Sequence, residues 1–150
     1  MSPLIRFVLY CTLGLSCEII SSVVIIEFAM GIKIKRRVPN KYLEGFVSLY
    51  MIPIHGLGVL FAFEPLYFYL AALHWALRYA VWGLLFVFTE SLIGFLMDKI
   101  LGFYPWDYYA NSKFKIFKRG YSLWTLLPLW GAYGLLLEIF VRFFTSIPSL

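Results

Sequence analysis

Residues 81–97 read VWGLLFVFTESLIGFLM, inside an apolar run from Tyr79 to Met97 whose single acid, Glu90, lies near the middle. A carboxylate at the centre of a membrane span costs about +2.5 to +3.5 kcal/mol on insertion scales, so such a residue faces the bundle interior and takes a partner there. The chain repeats the pattern: Glu18 lies midway along the first apolar run, Glu64 in the second and Glu138 in the last. The stretch therefore predicts one span of a small helical bundle with a polar interior.

Composition points the same way. Of 150 residues, 62% are hydrophobic, 21% aromatic and 14% charged, with a mean hydropathy of +0.83. Soluble domains run about 45–50% apolar and about 25% charged, which argues against an aqueous globular fold. A net charge of +5 would suggest nucleic acid in a soluble protein. Here the placement of the positives gives a better reason, and no nucleic acid partner is expected. Lys33, Lys35, Arg36, Arg37 and Lys41 lie in one connector and Lys99, Lys113, Lys115, Lys118 and Arg119 in another, ten of the thirteen Lys and Arg. The positive-inside rule assigns both connectors to the cytoplasm.

The expected fold is all-α: a polytopic bundle forming a single membrane domain over 1–150, with spans at about 4–30, 46–73, 77–100 and 121–145. The interval from Glu64 to Asp98 is too short for two spans of about 20 residues each, so four fit better than five. Both termini are then predicted on the non-cytoplasmic side. The first apolar run is too long for the core of a cleavable signal and carries Glu18, so no such signal is expected. Cys11 and Cys17, six residues apart on one helix, point apart and should not bridge.

Small and polar residues mark the inner faces, because membrane helices meet through small side chains. They are Cys11, Gly14, Glu18, Ser21 and Ser22 on span 1; Gly83, Glu90, Gly94 and Met97 on span 3; and Gly131, Gly134, Glu138 and Arg142 on span 4. Glu138 and Arg142 have the i, i+4 spacing of a helical ion pair with the acid first. Glu27, at the end of span 1, is expected to reach the headgroups. Span 2 holds Pro53, His55, Gly56, Gly58, Glu64 and Pro65. Proline removes a donor and clashes with the preceding turn, so a kink or break is expected near Pro53 and again near Glu64–Pro65. That reads either as a kinked packing helix or as a broken helix lining a cavity.

The connector 102–120, GFYPWDYYANSKFKIFKRG, begins where Pro105 stops the helix. Trp106 and Tyr108 suit the aromatic belt at the interface, with Asp107 as a cap or a partner for basic groups. Phe114 and Phe117, interleaved with lysines, suit contact with anionic lipid headgroups. One internal echo, Gly14-Leu15 with Glu18-Ile19 and Gly134-Leu135 with Glu138-Ile139, is compatible with an inverted repeat, but chance in a low-complexity membrane sequence is the default reading.

The combination of Cys17-Glu18, Pro53-Ile54-His55-Gly56, Glu64, Arg78, Glu90, Pro105-Trp106-Asp107-Tyr108, Trp130 and Glu138 resembles the transmembrane protein 229 family and its bacterial relatives labelled ABC transporter permease of the CmpB type. It covers about Tyr10 to Glu138, and the Pro-Trp-Asp-Tyr block is its most specific part. Relatives commonly carry Tyr where His55 stands and Ser where Tyr109 stands. What the resemblance implies is a small multi-pass protein of unestablished activity. The permease label is analogy, since the chain has no GxxxxGK[ST] phosphate loop.

No HExxH, GxSxG or paired-cysteine motif occurs, and the only histidines are His55 and His74, so no catalytic residue, metal or other cofactor is assigned. A lipid-directed reaction at Asp107 stays open. Glu18, Glu64 and Glu90 are expected to converge in the interior, with His55 as titratable neighbour and Arg78 as counter-ion. Glu138, matched with Arg142, is the weakest functional candidate. Such an interior is either a transport-like site for a cation or protonatable substrate, or a structural ion network. The competing reading is an accessory or assembly subunit beside a larger membrane partner or in a homo-oligomer.

Overall fold

The computed structural model describes residues 1–35, 39 and 42–148. Arg36, Arg37 and Lys41 of the first basic connector lie outside the described residues. The fold is an all-α bundle in which four segments are long and apolar enough to cross a membrane: Pro3–Val24, Met51–Leu70, Trp75–Leu101 and Trp124–Ser146. That is consistent with an integral membrane protein.

Helix α1 (Pro3–Val24) starts where a sequence says a helix should. Ser2 accepts from the Ile5 amide, and Pro3 takes the first helical position, where its missing donor costs nothing. Near the other end the Ser22 hydroxyl donates back to the Ile19 carbonyl at 2.7 Å while accepting from the Phe46 amide at 2.9 Å. Such back-bonding weakens the local ladder. The chain re-forms as a short α2 (Ile26–Met30) that ends on Gly31 in the left-handed region. Glu27 follows at the end of the first span. Its carboxylate accepts from the Ile34 amide and holds the turn beyond the span.

The second span begins later than predicted, and Pro53 is the reason. Helix α3 (Met51–Gly58) places Pro53 in its first turn, where no donor is needed, so Pro53 marks a start rather than a kink. Phe46, Val47 and Ser48 precede the helix as non-helical chain. The second irregularity falls where expected. A π-turn, Val59–Phe63, leads into α4 (Glu64–Leu70), with Pro65 in the first turn. Widening the turn ahead of a proline relieves the clash with the preceding carbonyl.

Helix α5 (Trp75–Leu101) is capped by the His74 ring, which accepts from the Ala76 amide at 3.3 Å, and ends at Gly102, φ 81°. The connector then forms a 3₁₀ turn (Asp107–Asn111), a two-residue antiparallel hairpin, β1 (Lys115–Ile116) with β2 (Ser122–Leu123), and a second 3₁₀ turn (Trp124–Leu126) leading into α6 (Leu127–Ser146). The hairpin turns at Gly120, φ 76°, where a Cβ would lie 2.7 Å from the Tyr109 backbone.

The helices pack as two pairs, α1 with the second span and α5 with α6. The second pair is close because Gly83 lies against the Leu127 carbonyl and Gly131 against the Tyr79 carbonyl, with no room for a Cβ at either. The Met1 ammonium donates to the Ile147 carbonyl, so both termini share one end. At the other end the connectors meet: Ser112 donates to the Met30 carbonyl at 2.8 Å and Thr125 to that of Ala29.

Two apolar cores join the pairs, one at each end. Tyr10, Val59, Phe63, Trp82, Leu137, Val141 and Phe144 close the terminal end. Ile26, Met30, Met51, Trp106, Tyr109 and Leu123 close the connector end. The connector is thus a folded cap over one end of the bundle. Trp106, expected in the interfacial belt, is buried and donates to the Tyr121 carbonyl at 2.7 Å. Phe117 stays exposed, and Lys113, Lys118 and Arg119 stay exposed with it.

Candidate functional site

Between the two cores lies a cavity of about 390 Å³, walled mainly by apolar side chains. Three of the residues read as interior polar groups face it: Glu18 from α1, His55 from α3 and Glu90 from α5. Helical geometry explains their meeting. Glu18 stands fifteen residues after Pro3, Glu90 fifteen after Trp75 and His55 fifteen before Leu70, all measured from the terminal end. At 1.5 Å per residue each lies about 22 Å from that end.

The His55 Nε2 lies 3.0 Å from the Glu18 carboxylate. The ring fits only because residue 14 is glycine, since a Cβ there would come within 2.2 Å of the imidazole Cγ. Glu90 is held differently. The Ser122 hydroxyl of β2 and the Trp130 indole nitrogen, at 3.3 Å, donate to one carboxylate oxygen, and the Tyr109 hydroxyl stands beside them. Among the described residues no cation pairs with it.

Glu64 does not join this group. It sits nearer the terminal end, paired with Arg6 and accepting from the Tyr10 hydroxyl at 2.8 Å. Arg78 is not the counter-ion of Glu18, Glu64 or Glu90. Its Nε lies 3.0 Å from both oxygens of Glu138, which also accepts from the Trp82 indole at 2.6 Å. The Glu138–Arg142 pair is therefore a correction. Glu138 turns inward at 6% exposure toward α5, while Arg142 is exposed and pairs with no acid among the described residues.

The interfacial motif divides. Pro105, Trp106 and Tyr108 line the connector end of the cavity. Asp107 is exposed and caps nothing: its carboxylate makes no hydrogen bond or ion pair among the described residues. The partner for the basic connector is Asp98, at the end of α5. It takes Arg119 and the Tyr121 hydroxyl, 2.8 Å away, and so pins the hairpin to the bundle. Cys11 and Cys17 are free thiols, as expected. Among the described residues, no three His, Cys, Asp or Glu side chains gather as metal ligands would.

The cap is rich in buried phenols. Burial pushes Tyr104 from its ordinary 10.0 up to about 12. Burial, followed by the neighbouring Glu90, raises Tyr108 and Tyr109, while burial and then Asp98 raise Tyr121. A folded state that holds phenols neutral has its full stability below the unfolded value of 10.0 and loses it as pH climbs toward 12. The cap is expected to open in that window, with tyrosinate absorbance rising as near-ultraviolet dichroism falls. Ionisation of all the tyrosines near pH 10 without structural change would contradict this.

The residues missed by sequence reasoning are Arg6, Tyr10, Trp82 and Ser122. Depth was the available signal for the first three: counted from the terminal end, Arg6 and Arg78 each stand three residues into a helix and Tyr10 and Trp82 seven, while Glu64 and Glu138 lie six and eight residues from the ends of α4 and α6 there. No protein-family model, curated protein or solved structure matches the chain.

Proposed function

We propose that the protein is a transport-like binding module of the membrane whose site is the mid-depth cavity holding Glu18, His55 and Glu90. The observation that carries this reading is the contrast among its acids. Glu64 and Glu138 are neutralised by Arg6 and Arg78 inside an apolar core, as structural pairs are. Glu90 faces an open volume with hydrogen-bond donors and, among the described residues, no cation. Pockets of about 300–1,000 Å³, mostly apolar with a few convergent polar groups, are the usual form of a small-molecule site. The sequence resemblance to the transmembrane protein 229 and CmpB-type permease families is compatible with the same site: Glu18, Glu90, Pro105, Trp106, Tyr108 and Trp130, among the residues on which it rests, line this cavity. In this reading the basic connectors lie cytoplasmic, against anionic headgroups, and the termini on the opposite side.

Native mass spectrometry of the protein released from nanodiscs tests this. The wild-type chain is expected to carry a bound small molecule that Glu90→Gln loses while melting at a similar temperature. A wild-type chain that is empty across gentle preparations, together with a larger partner co-purifying at fixed ratio, would favour the accessory-subunit reading instead.

A further inference from the structure

Resting on that binding reading, we infer that the cavity takes an organic monocation, an ammonium group on an apolar body. The argument starts from charge. Each of the other acids that face the bundle interior has a cationic or ionisable partner: Arg6 for Glu64, Arg78 for Glu138 and His55 for Glu18. Among the described residues, Glu90 is left with donors alone and no Lys or Arg lines the cavity. A ligand bringing one positive charge completes the set. A phosphate or carboxylate group would meet two acids and, among the described residues, no fixed cation.

The walls decide what else the ligand carries. Phe86, Trp130 and Tyr133 form a triangle of rings on the α5–α6 side, with centroids 5.6, 5.6 and 5.8 Å apart, and all three line the cavity. Trp130 is also the residue whose indole nitrogen holds Glu90 at 3.3 Å. Aromatic faces beside an anion are the setting in which an ammonium group gains both a counter-charge and cation–π contact. A bare inorganic ion would use neither the rings nor the volume of about 390 Å³. A divalent metal would lack ligands, since no third acid, His or Cys converges with them among the described residues.

The test uses the full chain in nanodiscs of phosphatidylglycerol, which brings no amine, with empty nanodiscs as background. Titration calorimetry compares 2-phenylethylamine with its uncharged counterparts 2-phenylethanol and N-acetyl-2-phenylethylamine. Saturable binding of one amine per chain is expected, with both neutral compounds at least about tenfold weaker. Because this comparison is made on the wild-type chain, it holds even if Glu90→Gln fails to fold. Where Glu90→Gln does fold, amine affinity is expected to drop about tenfold or more. Trp130→Phe, which keeps the ring and removes the donor, is expected to weaken it less. Displacement of the amine by added phosphatidylethanolamine would assign the ammonium to a lipid headgroup, and no displacement to a free amine; either outcome supports an ammonium site. Equal binding of the alcohol and the amine would overturn it. A neutral native ligand lost on Glu90→Gln would overturn the cation while leaving the binding site standing. Absence of any saturable ligand would remove both.

Discussion

Arg78→Leu is expected to destabilise the bundle by about 3 kcal/mol or more, the usual cost of stranding one partner of a buried pair. Glu138 is 6% exposed, and among the described residues its oxygens accept only from Arg78 and the Trp82 indole. Without the guanidinium, a carboxylate in an apolar core keeps a single neutral donor. Arg78 also donates to the Ala71 and Leu73 carbonyls, so it ties the turn between α4 and α5 to the fourth span. The double variant Arg78→Leu with Glu138→Leu is expected to recover most of the loss, because removing both charges also removes the desolvation cost. Thermal melts of the detergent-solubilised protein, followed by tryptophan fluorescence, measure both. A single variant that melts within a degree or two of wild type would show that the pair carries little stability.

Gly134→Ala should be the most damaging single-methyl addition in the protein. A Cβ at residue 134 would lie 2.3 Å from the Trp82 Cβ and 2.5 Å from its Cγ. Trp82 has nowhere to go. It is 1% exposed, stacked on Phe63 with centroids 4.0 Å apart, and bonded to Glu138. The α5–α6 crossing must therefore open, at a cost of about 1–3 kcal/mol or more for overpacking. Gly58→Ala supplies the contrast, since a Cβ there meets nothing within 4 Å and alanine is the better helix former. The same melts are expected to fall for the first variant and to hold or rise for the second. Equal effects would mean that helix propensity, and not the crossing, controls both positions.

The two results would test different parts of what could be read from the chain. The inner faces were legible: Cys11, Gly14 and Ser22 on α1, Gly83 and Gly94 on α5, and Gly131 and Gly134 on α6 are all buried. Periodicity carries that information, because a helix presents residues three and four apart on one side. Partner choice was not legible in the same way. The expectation that Glu138 pairs with Arg142 used distance along the chain, whereas Glu138 takes Arg78, sixty residues away, across the helix interface. Asp107 looked like the acid for the basic connector, and Asp98 holds that place because the hairpin folds back over the end of α5.

What the sequence determined by itself is the set of four long apolar segments and their polar faces, since apolar length and helical periodicity are local properties. The shared depth of Glu18, His55 and Glu90 follows from where the folded helices begin and end, whereas the sequence alone grouped Glu64 with Glu18 and Glu90. Only the tertiary structure decided which acids became neutral pairs and which was left facing a cavity. It also folded the connector into a cap, with Trp106 buried beneath it and Ser122 brought to Glu90. The reason is physical: burial of a charge or an indole is settled by whichever element packs across from it, and in this bundle that element comes from a distant part of the chain.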